Sequence, residues 1–188
     1  MSKKYLRAGL GVCLIAAAMF ATLGEGSSSS SDSGDKDDKS AAPASSQATP
    51  FPLGTDVEVA KGWNMKVNSA ELDGNATVAA ANEFTTPEEG KQFVLVNVTI
   101  TNNSDQPDEP LFAIDISALP PTGVAADPAF LMGLPGEIET SAQMQPGASM
   151  TGVIPFEIAS ADVAGTVLLG ESTFTLDEAE DQKFFAIQ

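Results

Sequence analysis

The chain has 188 residues and a formal charge of −17, from nine Lys and Arg against 26 Asp and Glu, with no His. Residues 51–188 hold 21 of the acidic groups against four Lys, and they contain no Arg, His, Cys or Tyr. That composition excludes Ser-His-Asp and Cys-His catalysis and zinc sites built on His or Cys, and it excludes nucleic-acid binding, which needs Lys and Arg against phosphate.

Residues 1–24 read as an export signal or N-terminal anchor. Lys3, Lys4 and Arg7 precede the uncharged run Ala8–Leu23. The run suits a secretory apolar region and is short for a spanning helix, which needs about 20 residues. Thr22-Leu23-Gly24 offers cleavage before Glu25, with Ala16-Ala17-Ala18 and Ala21 as alternative positions, and an uncleaved anchor is the other reading. Cys13 is the sole cysteine, so no intramolecular disulfide can form. Residues 25–50 contain nine Ser and no aliphatic side chain larger than Ala. Such a segment buries too little apolar surface to offset its ordering entropy, so it is predicted to be a disordered linker. Its r.m.s. span would be roughly 28 Å for a Gly/Ser-like coil.

Residues 51–188 are predicted to form one domain. Trp63–Leu72, Gln92–Thr101 and Ser149–Ile158 are its clearest strands. In the second, Val94, Val96, Val98 and Ile100 share one face, against Asn97, Thr99 and Thr101 on the other. In the third, Met150, Gly152, Ile154, Phe156 and Ile158 alternate with Thr151, Val153, Pro155 and Glu157. Pro155 cannot donate to a ladder and marks an edge or a bulge. Weaker strands are expected at Thr55–Val59, Leu111–Ser117, Glu137–Ala142, Val163–Leu169, Ser172–Leu176 and Lys183–Ile187. No segment carries a helical stripe longer than two turns, while Gly and Pro recur between the strands. The expected fold is all-β, an antiparallel β-sandwich of about seven to nine strands, with Trp63 in its core.

Two segments carry a resemblance. One is Pro87-Glu88-Glu89-Gly90-Lys91-Gln92-Phe93-Val94-Leu95-Val96-Asn97-Val98-Thr99-Ile100-Thr101-Asn102-Asn103-Ser104; the other runs from Gln145-Pro146-Gly147 through Gly152 to Phe156. With the export segment and the Ser-rich linker, they resemble Gram-positive secreted lipoproteins that carry a small immunoglobulin-like domain of unknown function. Their fold is similar to that of the immunoprotective extracellular protein family. The closing Phe184-Phe185-Ala186-Ile187 resembles a frequent ending in that family. The resemblance implies an immunoglobulin-like fold and an address outside the cell, and no activity. The chain departs from it where such lipoproteins carry their lipidated Cys, since Glu25 and Gly26 stand there. Cys13 lies within the apolar run, so no lipidation is expected.

Four motifs bear on function. Leu119-Pro120-Pro121-Thr122-Gly123 matches the wall-sorting pentapeptide, but 65 residues follow it, so an ordinary turn is expected. Asp105, Asp108 and Glu109 crowd one loop and are the weak calcium candidates; Asp177, Glu178, Glu180 and Asp181 crowd another. Neither loop has the spacing of a dedicated calcium loop, so a solvated acidic surface is expected and no metal or cofactor is assigned. Phe130, Leu131, Met132 and Leu134 form the candidate contact loop, expected to pack over an open end of the sandwich or to face a partner.

These readings point to a non-enzymatic extracellular module that acts by protein or ligand binding. It would be displayed at or released from the cell envelope, touching the membrane only through its N-terminal segment. The expected partner is an extracellular protein or envelope component; the acidic balance points to a cationic partner surface, or simply to solubility and repulsion from anionic wall polymers. The alternatives are a structural accessory subunit of an envelope complex and, less favoured, a carboxylate-based hydrolase.

Overall fold

The alternation of Val94, Val96, Val98 and Ile100 makes one strand the spine of the fold. In the computed structural model, which describes residues 45–174 and 182–188, these four side chains are fully buried. The elements are β1 (Val57–Ala60), β2 (Trp63–Glu71), α1 (Asn75–Ala81), β3 (Lys91–Asn102), α2 (Pro110–Ala113), β4 (Ile114–Leu119), β5 (Ser149–Ala159), β6 (Val167–Ser172) and β7 (Lys183–Ala186). Among the described residues they form an antiparallel sandwich. One sheet has the order β1-β2-β3-β5 and the other β4-β6-β7. The four-plus-three division is that of an immunoglobulin-type sandwich. The strand order within the sheets differs from the A-B-E-D and C-F-G order of an immunoglobulin constant domain.

The two sheets enclose a single apolar layer. Trp63, Met65 and Val67 from β2, the β3 valines, and Ile154, Phe156 and Ile158 from β5 meet Ile116, Leu168 and Phe185 of the second sheet. The layers approach closely where β6 has no side chain. A Cβ on Gly170 would lie 2.8 Å from the Met65 methyl carbon and 3.2 Å from Val59. A bulge keeps β2 in phase with this core. Val67 faces Val98 but Ser69 faces Asn97, so Asn68 is the extra residue. Its amide donates to Asn97 Oδ1 (2.8 Å) and Thr99 Oγ1 (3.0 Å) across the sheet. Beyond the bulge the inward positions shift by one, to Ala70 and Leu72.

The outer face of the four-stranded sheet carries a second, smaller core. Phe93 and Leu95 of β3 are buried there under Val78 of α1 and under Leu131 and Leu134. This corrects the candidate contact loop in two ways. The loop packs on the outer sheet face, not over an end of the sandwich. It also splits by side: Leu131 and Leu134 are buried, while Phe130 and Met132 are 89% and 70% exposed. The seven-residue helix α1 was not expected from its Ala-rich sequence. It is held through Asn75, whose Oδ1 accepts from the Phe93 amide (2.9 Å), and through the Gly74 amide bonded to Phe93 O (2.8 Å).

Other expectations shift for local reasons. Leu111–Ala113 coil into α2 because Pro110 sits at the first helical turn. Residues 163–166 close a turn, with Thr166 Oγ1 donating to Asp162 O (2.7 Å), so β6 starts only at Val167 and runs on through Ser172 as one strand. Glu137–Ala142 makes a single parallel bridge, Glu137 to Val153, and then turns. Residues 45–50, read as linker, lie on the domain. Ser45 Oγ accepts from the Phe184 amide (2.9 Å), Gln47 Nε2 donates to Pro120 O (2.9 Å), and Phe51 exchanges backbone bonds with Phe184 and Ala186. Pro120–Gly123 is a turn closed by the Gly123 amide on Pro120 O (2.9 Å). The export segment with Cys13 and Glu25, the linker up to residue 44, and Asp177, Glu178, Glu180 and Asp181 lie outside the described residues.

Candidate functional site

A sandwich of two open sheets has edges, and each edge strand presents unpaired backbone groups. Here β5 is an edge of the first sheet, as Pro155 requires. The long β4–β5 connection covers it. The Ala129 amide bonds Pro155 O (2.8 Å), the Ile138 amide bonds Val153 O (3.0 Å), and the Val153 amide bonds Gly136 O (2.7 Å). Among the described residues, the same connection shares backbone bonds with β4 at one place, where Ala118 and Ala126 exchange bonds of 2.9 and 2.8 Å. It returns to α2 through the Leu111 amide on Thr140 O (3.0 Å).

Between these two ties the connection and β4 stand apart and leave a groove of about 450 Å³. Its lining comes from α2 and β4 (Pro110, Leu111, Ile114, Asp115, Ile116), from the connection (Asp127, Pro128, Ala129, Glu137, Ile138, Thr140), and from β5 (Ile154, Pro155). Most of these side chains are apolar. Asp115, Asp127 and Glu137 supply the charge, and among the described residues no Lys lines the groove. Burial, and then the neighbouring Glu139 charge, holds the Glu137 carboxyl above the ordinary carboxylate range. The Glu137 side chain is largely exposed. Exposed apolar side chains continue beside the groove, with Phe112 following Leu111 and Phe130 following Ala129.

The calcium candidates do not come together. Asp108 exchanges backbone bonds with Met144, and its Oδ1 accepts from the Glu109 amide (2.8 Å), while Asp105 lies exposed in the preceding turn. Among the described residues no group of three carboxylates is placed to hold a metal ion. What organises this loop is a polar residue at the end of β3. Asn102 is fully buried. Its Nδ2 donates to Gln106 O and Met144 O, both at 3.0 Å, and its Oδ1 accepts from the Ser104 amide (2.9 Å) and hydroxyl (2.7 Å). The Asn-x-Ser spacing is the signal that could have exposed it.

Fold and groove together define an acidic β-sandwich with an apolar, anionic cleft along one open edge. The chain belongs to the family described as Domain of unknown function (DUF4352), whose model matches residues 52–179. Solved structures similar to it are the YjhA protein of Bacillus subtilis (13% identity, 73% of this chain and 99% of that one, TM-score 0.49) and a β-sandwich protein of Clostridium difficile 630 (12%, 78% and 100%, 0.45). A secreted protein of Mycobacterium tuberculosis, MPT63, is similar at 16% identity over 73% of this chain and 98% of that one, with a TM-score of 0.44. No curated protein matches the chain.

Proposed function

We propose that the chain is a non-catalytic extracellular binding module, held at or released from the cell envelope, and that its ligand site is the groove between β4 and the β4–β5 connection. The observation that carries this reading is the lining itself: an apolar floor, three carboxylates and, among the described residues, no cation. Such a surface suits a ligand that brings both apolar groups and positive charge. The basic n-region, apolar run and Ser-rich linker support the extracellular address. The absence of His, Arg and Cys from residues 51–188 supports binding without chemistry.

The test uses Leu111→Arg. Leu111 lines the groove and is 53% exposed, so the substitution places a cation in the cleft without disturbing the core. The full chain should retain an envelope component at low ionic strength and release it as salt rises. The variant should fail to retain it. Retention unchanged by Leu111→Arg removes the groove as the site. Turnover of any glycan or glycoside by the wild-type chain would remove the non-catalytic half of the proposal.

A further inference from the structure

Along an antiparallel strand the backbone N–H and C=O of one residue point to one side and those of the next to the other. Ala118 directs both of its groups away from β6, to Ala126. The β4–β6 register runs without a shift from Ile114 to Leu119. Ile116 and Ile114 therefore also point away from β6, toward the groove they line. The Ile114 amide is used by α2, bonding Pro110 O. This leaves the Ile114 carbonyl and both backbone groups of Ile116 without a backbone partner among the described residues. The open stretch is bounded by the Ala118–Ala126 bridge at one end and the Leu111–Thr140 bond at the other.

Resting on the reading of the groove as the ligand site, we infer that this stretch of β4 accepts an extended peptide segment as an added strand. Unpaired edge groups give such a segment its main-chain bonds, and alternate side chains give it specificity. The alternation can be read from β4. Ile114 and Ile116 are buried and Asp115 is exposed, so a paired strand would turn apolar residues toward the Ile114–Ile116 face and its other residues toward Asp115. With Asp127 and Glu137 also lining the groove and no Lys beside them, those other residues are basic. The partner is a protein segment that alternates small apolar residues with Lys or Arg. A second copy of this acidic domain does not fit, because like charges would face each other.

The test uses three synthetic eight-residue peptides and the full chain. One alternates Lys and Val. One carries Glu in place of Lys. The third keeps Lys and Val but has alternate backbone amides methylated. The Lys peptide should bind, and neutralising the groove with Asp115→Asn, Asp127→Asn and Glu137→Gln should weaken it by about tenfold or more at low salt. Backbone methylation should weaken it by a similar factor, since it removes main-chain donors. Hydrogen exchange at the Ile116 amide should slow on binding, while exchange at the Ser117 amide, which points to β6, should stay the same. Equal binding of the methylated peptide, or an unprotected Ile116 amide, overturns strand addition and leaves the groove reading intact. Equal binding of the Glu peptide overturns the basic partner. No binding of any peptide, with envelope retention still lost in Leu111→Arg, overturns the peptide occupant alone. Peptide binding untouched by Leu111→Arg places the peptide elsewhere and overturns the inference.

Discussion

Gly152 tests whether the connection that builds the groove is held by close backbone contact. It lies in β5 opposite Val98. A Cβ there would sit 2.8 Å from both Cα and Cβ of Ile138 and 2.9 Å from the Gly136 carbonyl oxygen. Carbon–carbon contacts relax near 3.5 Å, so Gly152→Ala must push the 136–138 segment outward by about 0.7 Å or more. That segment hangs on two backbone bonds, Ile138 to Val153 O and Val153 to Gly136 O. Overpacking costs about 1–3 kcal/mol and weakened backbone bonds about 1 kcal/mol. The lost glycine entropy of the unfolded chain returns about 0.5 kcal/mol. The net is about 1.5–3.5 kcal/mol, a fall in Tm of roughly 5–14 °C for a domain of this size. Gly170→Ala is the control. Its Cβ would approach the Met65 methyl, the free end of a flexible side chain, so it should cost less. Thermal melts of the two variants decide the matter. Equal midpoints for Gly152→Ala and wild type, or a larger loss in Gly170→Ala, would refute the account of why glycine is needed.

Phe51→Ala should cost about 3–5 kcal/mol, because the ring is buried against Phe185 with centroids 5.7 Å apart; a chemical-denaturation midpoint close to wild type would mean that residues 45–51 do not belong to the folded unit. Asn102→Ala should cost about 2–4 kcal/mol by orphaning the Gln106 and Met144 carbonyls, while Asn103→Ala, exposed one residue on, should be near neutral; urea unfolding compares them. Glu137→Gln should raise Tm slightly at pH 7 and leave it unchanged near about pH 3. The sign follows from the raised carboxyl: its folded-state contribution is favourable only while it is protonated, and is lost as pH rises through its folded pKa. A cationic ligand in the groove should bind more weakly as pH falls and the raised Glu137 carboxyl takes up its proton, which calorimetric titration across pH would show.

The strands that could be read from sequence are those whose two faces meet different solvents. β3 and β5 alternate because one face meets the core, and their β-branched residues make the period plain. β2 reads correctly only as far as Val67, since nothing in Asn68 itself announces a bulge. Helix α1 was illegible because a single side chain, Val78, attaches it to the sheet, too little to make a stripe. The second core was missed for a related reason. Phe93 and Leu95 fall on the face that the valine alternation marks as outer, and only the distant Leu131 and Leu134 make that face dry. The groove was equally hidden. It draws on α2, β4, the connection and β5, and each piece alone reads as a turn or a strand. Asp115, Asp127 and Glu137 could not be singled out among 21 carboxylates without the topology that brings them to one cleft.

The treatment of the sheet edges links stability to the proposed site. The outer edge of β5 is bonded at Val153 and Pro155 by the connection, and Phe51 bonds the backbone of Phe184 and Ala186 at β7. β1 is short, with four residues. The middle of β4 is left open, with unpaired groups of the kind that invite edge-to-edge aggregation. Carboxylates around it offset that hazard. A second copy bringing Asp115, Asp127 and Glu137 to the same edge meets like charge in a cleft with an apolar floor, where repulsion is less screened than in bulk water. A basic strand meets the opposite field. The same three groups can therefore keep the edge from pairing with itself while leaving it open to a cationic partner. Neutralising all three should then have two consequences at once: weaker binding of a basic peptide, and concentration-dependent self-association that the wild-type chain resists.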